Sequence, residues 1–119
     1  PEGSGNWLAA LKDRALSSAL AQIHRDPRRA WTVPELAAHA CLSRSAFAER
    51  FTQVLGEPPL TYLTRHRMRL AARHLGNTAL TVGKVAELVG YASEAAFSQA
   101  FKRAHGVSPS GWRLQGAPR

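Results

Sequence analysis

This chain has one cysteine, Cys41. No internal disulfide can form, and a reducing compartment fits. No apolar run approaches the roughly 18 residues of a membrane-spanning helix. The first residues, PEGSGNW, are polar and glycine-rich, unlike a signal peptide. No stretch alternates apolar and polar residues as a half-buried strand does. The five histidines show neither an HExxH pattern nor paired Cys/His spacing, so no metal site is expected. Without a nucleophile–base set or a phosphate-cradling glycine loop, neither catalysis nor a cofactor is expected. Acidic residues are scarce: 8 Asp and Glu against 16 Lys and Arg give a formal net charge of +8 over 119 residues. That excess on so small a chain favours a polyanionic partner over a merely solvated basic surface.

Hydrophobic residues make up 45% of the chain, enough for a packed core, in one compact domain or two very small ones. Their arrangement repeats. Thr32-Val33 and Thr81-Val82, 49 residues apart, each open a short helical stretch. Ser43 and Ser93 then start SRSAFAERFTQVLGEPP and SEAAFSQAFKRAHGVSP, in which Phe47 and Phe97, Phe51 and Phe101, Gly56 and Gly106, and Pro59 and Pro109 are all 50 apart. The second copy therefore carries one extra residue, in the turn between its two helices. Two copies are few for a solenoid, which usually needs three or more.

Capping signals bound the helices. Residues 7–24 carry apolar side chains at helical spacing, including Trp7, Leu8, Leu11, Leu16, Leu20 and Ile23, with Asp13 placed to cap a new start and Pro27 to end the run. Thr32 and Glu35 form a capping box, Trp31 can staple onto Leu36, and Pro34 sits in the first turn. A long helix from Pro59 to about Leu75 has Leu60, Leu63, Arg67, Leu70, Ala71 and Leu75 on one face, and Gly76-Asn77 stops it. Arg67 on that stripe is expected to pair with Glu87 or Glu35. Thr81 caps the next helix without a box, since Lys84 replaces the acid. Phe97, Phe101 and Ala104 point inward in the last long helix, and Ser108-Pro109 starts a short one holding Trp112. Trp7, Trp31 and Trp112 read as core anchors, and Cys41 as a small buried turn residue rather than a redox sensor.

The expected fold is all-α: two helix–turn–helix subdomains joined by a central linker helix, about seven helices in total. Residues 1–5 read as linker or leftover sequence, 6–58 as the N-terminal subdomain with its leading helix, 59–76 as the linker helix, 77–115 as the C-terminal subdomain and 116–119 as a tail. A start at Pro1 rather than Met fits a piece of a longer chain.

Two helices crossing steeply about a tight turn need small residues at the crossing, here Ala37 and Ala86, and a flexible turn position, Gly90 in the second copy and Cys41 in the first. With the phenylalanines inward, the outer faces follow. They carry Arg44, Ser45, Ala48 and Glu49, then Glu94, Ala95, Ser98 and Gln99. These side chains can reach base edges in a major groove: Arg44 can donate twice to guanine, Gln99 can pair with adenine, Glu49 can accept from cytosine, and the alanines can touch a thymine methyl. Backbone contacts, which give affinity without sequence information, fall to Ser43, Arg50, Thr52, Arg65, Arg69, Arg73, Thr81, Lys84, Ser93, Lys102 and Arg103.

These segments, above all VAELVGYASEAAFSQAFKRAHGVSPSGWR at 85–113 and LSRSAFAERFTQVLGEPPLTYLTRHRMRLAARHL at 42–75, resemble the C-terminal DNA-binding domain of AraC-type transcription regulators over residues 14–113. The resemblance implies sequence-specific binding of double-stranded DNA by a bacterial regulator, with recognition helices at about 44–54 and 94–105 in successive major grooves. It further implies a cytoplasmic, nucleoid-associated protein without a membrane partner, RNA polymerase as a second partner, and a cupin-like sensor domain upstream. Many such regulators carry a basic or larger polar residue where Glu49 stands and an arginine where Gln99 stands, so base contacts are expected to be sparse, with Arg44 and DNA shape carrying more of the specificity. The competing class is a helical interaction module docking on an acidic protein. An RNA binder is disfavoured by the lack of an aromatic platform.

Overall fold

The computed structural model describes residues 7–115. The expectations for 1–5 and 116–119, and for the side chains of Trp7, Leu8 and Leu11, lie outside the described residues. Among the described residues every regular element is an α-helix: α1 (Trp7–Lys12), α2 (Arg14–Arg25), α3 (Val33–His39), α4 (Arg44–Leu55), α5 (Pro59–Leu75), α6 (Val82–Leu88), α7 (Glu94–His105) and α8 (Pro109–Leu114). Counting α1 and α2 as one leading element broken at Asp13 gives the seven expected. The chain forms two compact units that part between Leu63 and Thr64.

In the first unit, Asp13 breaks the leading helix because its carboxylate accepts from the Leu16 N–H at 3.1 Å, starting α2 afresh. Leu16, Ala19, Leu20 and Ile23 line the buried face of α2. The α3 capping box forms in full: Glu35 N–H donates to Thr32 Oγ1 and Thr32 N–H to Glu35 Oε1. Trp31 is buried in the same cluster as Leu36 and donates its indole N–H to the Asp26 carbonyl at 2.9 Å. Ser43 caps α4, and Gly56, with φ 83°, closes it in the left-handed region. Phe47 and Phe51 of α4 are fully buried, and Tyr62 of α5 meets the Phe51 ring edge-on. His24 Nε2 and Tyr62 Oη share a 2.8 Å hydrogen bond.

The second unit repeats the plan. Thr81 and Ser93 cap α6 and α7, and Gly106 closes α7 with φ 83°. Phe97 and Phe101 are fully buried among Met68, Ala71, Leu75, Val85 and Val89. On α7 the inward alanine is Ala100; Ala104, expected there, is exposed. Ala100 lies three residues after Phe97 and next to Phe101, whereas Ala104 falls a turn later, toward the closing glycine. Trp112 of α8 meets Phe101 edge-on, and Arg113 donates to the Leu75 carbonyl at 3.0 Å, fastening α8 to the end of α5.

Two expectations for α5 change. Arg67 is half-buried with its guanidinium 5.8 Å from the centre of the Tyr91 ring, while Glu35 pairs with Arg29 and Glu87 with Lys84. Burial lowers the Arg67 pKa, and Tyr91 offsets part of that shift. Leu60 stands at the start of the predicted inner stripe but is 42% exposed. Its position in the first turn of α5 carries it past the edge of the first core.

Candidate nucleic-acid interface

In each unit the burial of two phenylalanines fixes the orientation of the second helix and turns its opposite face outward. Arg44, Ser45 and Glu49 are exposed on α4 and Ala48 is partly so; on α7, Glu94, Ala95 and Gln99 are exposed and Ser98 is partly so. Each unit thus gathers its four candidate readers onto one exposed helix face.

The turn that sets this geometry is the same in both units. Cys41 has φ 58° and Gly90 φ 93°. The following N–H groups, of Leu42 and Tyr91, return to the carbonyls of Ala37 and Ala86 at 3.1 and 2.9 Å. Ala37 and Ala86 are buried where the helices cross. The extra residue of the second copy therefore lies after this turn, at Ala92. Cys41 itself is exposed, not buried as expected, because the left-handed turn points its side chain away from the helix pair.

Several candidate backbone contacts have duties inside the protein. Arg50 Nε donates to Asp13 Oδ2 at 2.7 Å, tying the recognition helix to the leading helices. Burial acts to raise the Asp13 pKa, but the Leu16 N–H and the Arg50 guanidinium outweigh it and hold the carboxyl below its usual range. Ser43, Thr81 and Ser93 spend their hydroxyl oxygens on caps, and Thr52 donates to the Ala48 carbonyl. Lys84 lies 3.5 Å from Glu87. Arg65, Arg69 and Arg73, at i, i+4 and i+8 on α5, form an exposed cationic row. Lys102 and Arg103 are exposed in the last turns of α7.

The two interfaces differ where the paired helices start. In the second unit a Cβ on Gly83 would come within 3.1 Å of Glu94 Oε1, so this carboxylate rests against the first turn of α6. The corresponding positions in the first unit are Pro34 and Arg44, and an open concavity of about 530 Å³ lies there. It is lined by Trp31, Val33, Pro34, Arg44, Ala48 and Leu60, among others, with no acidic residue. In the sequence Trp31 and Pro34 read as capping residues and Leu60 as part of an inner stripe, and no local signal in the chain marks them as neighbours of Arg44.

A helix-turn-helix domain family matches residues 36–115, which spans both of these units. The chain belongs to the AraC-type helix–turn–helix family, with 46% identity over 118 residues to a putative AraC-like transcription regulator of Streptomyces antibioticus, covering 99% of this chain and 39% of that protein. It is 49% identical over 110 residues to the HTH-type transcriptional regulator AlkR of Acinetobacter baylyi, covering 92% of this chain and 36% of that protein. It is 41% identical over 108 residues to RclR, an RCS-specific HTH-type transcriptional activator of Escherichia coli, covering 91% of this chain and 38% of that one. The AraC-type chain described here thus spans well under half the length of these regulators. Among solved structures, the DNA-binding domain of the global transcriptional factor AdpA in complex with a target DNA is similar at 31% identity and a TM-score of 0.80, covering 87% of this chain and 92% of that one. No helix among the described residues is long and apolar enough to cross a membrane, and among them no group of three His, Cys, Asp or Glu could hold a metal ion.

Proposed function

We propose that this chain binds double-stranded DNA sequence-specifically, as the DNA-reading part of a bacterial transcription regulator acting in the cytoplasm. The observation that carries the reading is the duplicated helix pair, each with a capped, exposed recognition face over a buried phenylalanine pair, in a chain of net charge +8. The similar domain of AdpA, seen with its target DNA, supports it. In this reading Arg44 is the principal base contact, Ser45, Ala48, Glu49, Ala95, Ser98 and Gln99 shape the rest, and Arg65, Arg69, Arg73, Lys102 and Arg103 hold phosphates. RNA polymerase and a sensor domain upstream complete the regulator.

In vitro selection from random duplex DNA at about physiological salt tests this, since low salt inflates non-specific binding. Enrichment of a motif with two blocks roughly one helical turn apart is the expected result. A single block would reduce one unit to backbone anchoring, and no enrichment would refute sequence-specific reading by this chain.

A further inference from the structure

The concavity of the first unit shares Arg44, Ser45 and Ala48 with the recognition face and, Thr32 apart, is otherwise walled by apolar side chains: Trp31, Val33, Pro34 and the 42% exposed Leu60. In the DNA-binding reading, an open and mostly apolar hollow beside Arg44 suits an apolar group of the same ligand. The floor of the major groove offers one: the C5-methyl of thymine is its only apolar group, and every other readable group there is a hydrogen-bond donor or acceptor. Arg44 and Ala48 stand four residues apart on one helix face, about 5–6 Å between their Cβ atoms. That spacing suits two neighbouring base pairs, one read by the guanidinium and the other by the hollow.

Resting on the DNA-binding reading above, we propose that Leu60, with Ala48, Val33 and Pro34, forms a thymine-methyl site, so that the block read by Arg44 favours a thymine adjacent to its guanine. Leu60 thereby becomes a specificity-determining residue contributed by the linker helix rather than by the recognition helix. Positive charge at the rim and the absence of acid in the lining favour DNA as occupant over a cationic protein segment.

The test uses the duplex obtained by selection, with each thymine replaced in turn by 2′-deoxyuridine, which removes only the methyl. Arg44→Ala first identifies the block by relaxing one of its positions. Within that block a single uracil should weaken binding about fourfold, the worth of one buried methyl, and the other uracils of the same block should be nearly neutral. In Leu60→Ala, checked for an unchanged melting curve, that penalty should vanish while affinity for the uracil duplex stays close to that of the unaltered protein. A purely structural role for Leu60 would instead weaken both duplexes alike. A selected block with no thymine beside the guanine, or thymines with no methyl penalty, overturns the site while leaving sequence-specific binding intact. A penalty that persists in Leu60→Ala overturns the role of Leu60. Failure to select any motif overturns the DNA-binding reading itself.

Discussion

Cys41 holds in the first unit the backbone position that Gly90 holds in the second, with φ of 58° and 93°, and each is followed by an N–H that returns to the buried alanine where the two helices cross. A side chain in the left-handed region costs roughly 1–2 kcal/mol, a cost glycine avoids. The first turn therefore stores strain that the second does not.

Cys41→Gly should accordingly stabilise the first unit, by somewhat less than that cost because glycine also loses more backbone entropy on folding. Gly90→Ala should destabilise the second unit by about 1–2 kcal/mol. Urea unfolding read separately in each unit checks both, and a neutral Gly90→Ala would show that the turn relaxes.

The Asp13–Arg50 pair should make stability acid-sensitive. The folded-state pKa of Asp13 lies below its value in the unfolded chain, so the unfolded state binds the proton more readily. The stabilisation is then fully present above the unfolded value, about 3.9, and is lost as pH falls through the folded value. Glu35, held down first by the Arg29 hydrogen bond and then by the Thr32 N–H, adds in the same direction. Asp13→Asn keeps a capping residue but removes the charge. Its melting temperature should fall less between pH 5 and pH 3 than that of the unaltered protein; an identical slope would mean that the pair carries none of the dependence.

Readers and positioners should separate by salt and by sequence. Arg44→Ala should cost about 1–3 kcal/mol on the selected site and relax one base position. Lys102→Ala or Arg73→Ala should weaken binding to all duplexes alike and reduce the salt slope by about one. A changed base preference in either of the latter would reverse their assignment.

Glu94 rests against Gly83 and should contribute repulsion to nearby phosphates rather than a base contact. Glu94→Ala is expected to tighten binding to every duplex by a similar factor with the selected motif unchanged. A new preference at one position of the second block would show that the carboxylate does read a base.

The repeat, the helix boundaries and the outward faces were legible in the chain because they rest on local rules. Thr32, Thr81, Ser43 and Ser93 cap through hydroxyls three residues from the N–H they accept, and Phe-x-x-x-Phe spacing orients a helix whatever it packs on. Even the demand for an unusual turn residue at Cys41 followed from aligning the two copies. What depended on distant residues meeting was not legible. Arg50 found Asp13 across 37 positions, and Arg67 settled over Tyr91 while Glu35 and Glu87 took other partners. Leu60 was left at the edge of the core beside Arg44. Periodicity assigns a side chain to a face of its own helix. Only the packing of one helix on another decides whether that face ends in a core, an ion pair or an open hollow, since burial and pairing energies depend on the partner that tertiary contact supplies.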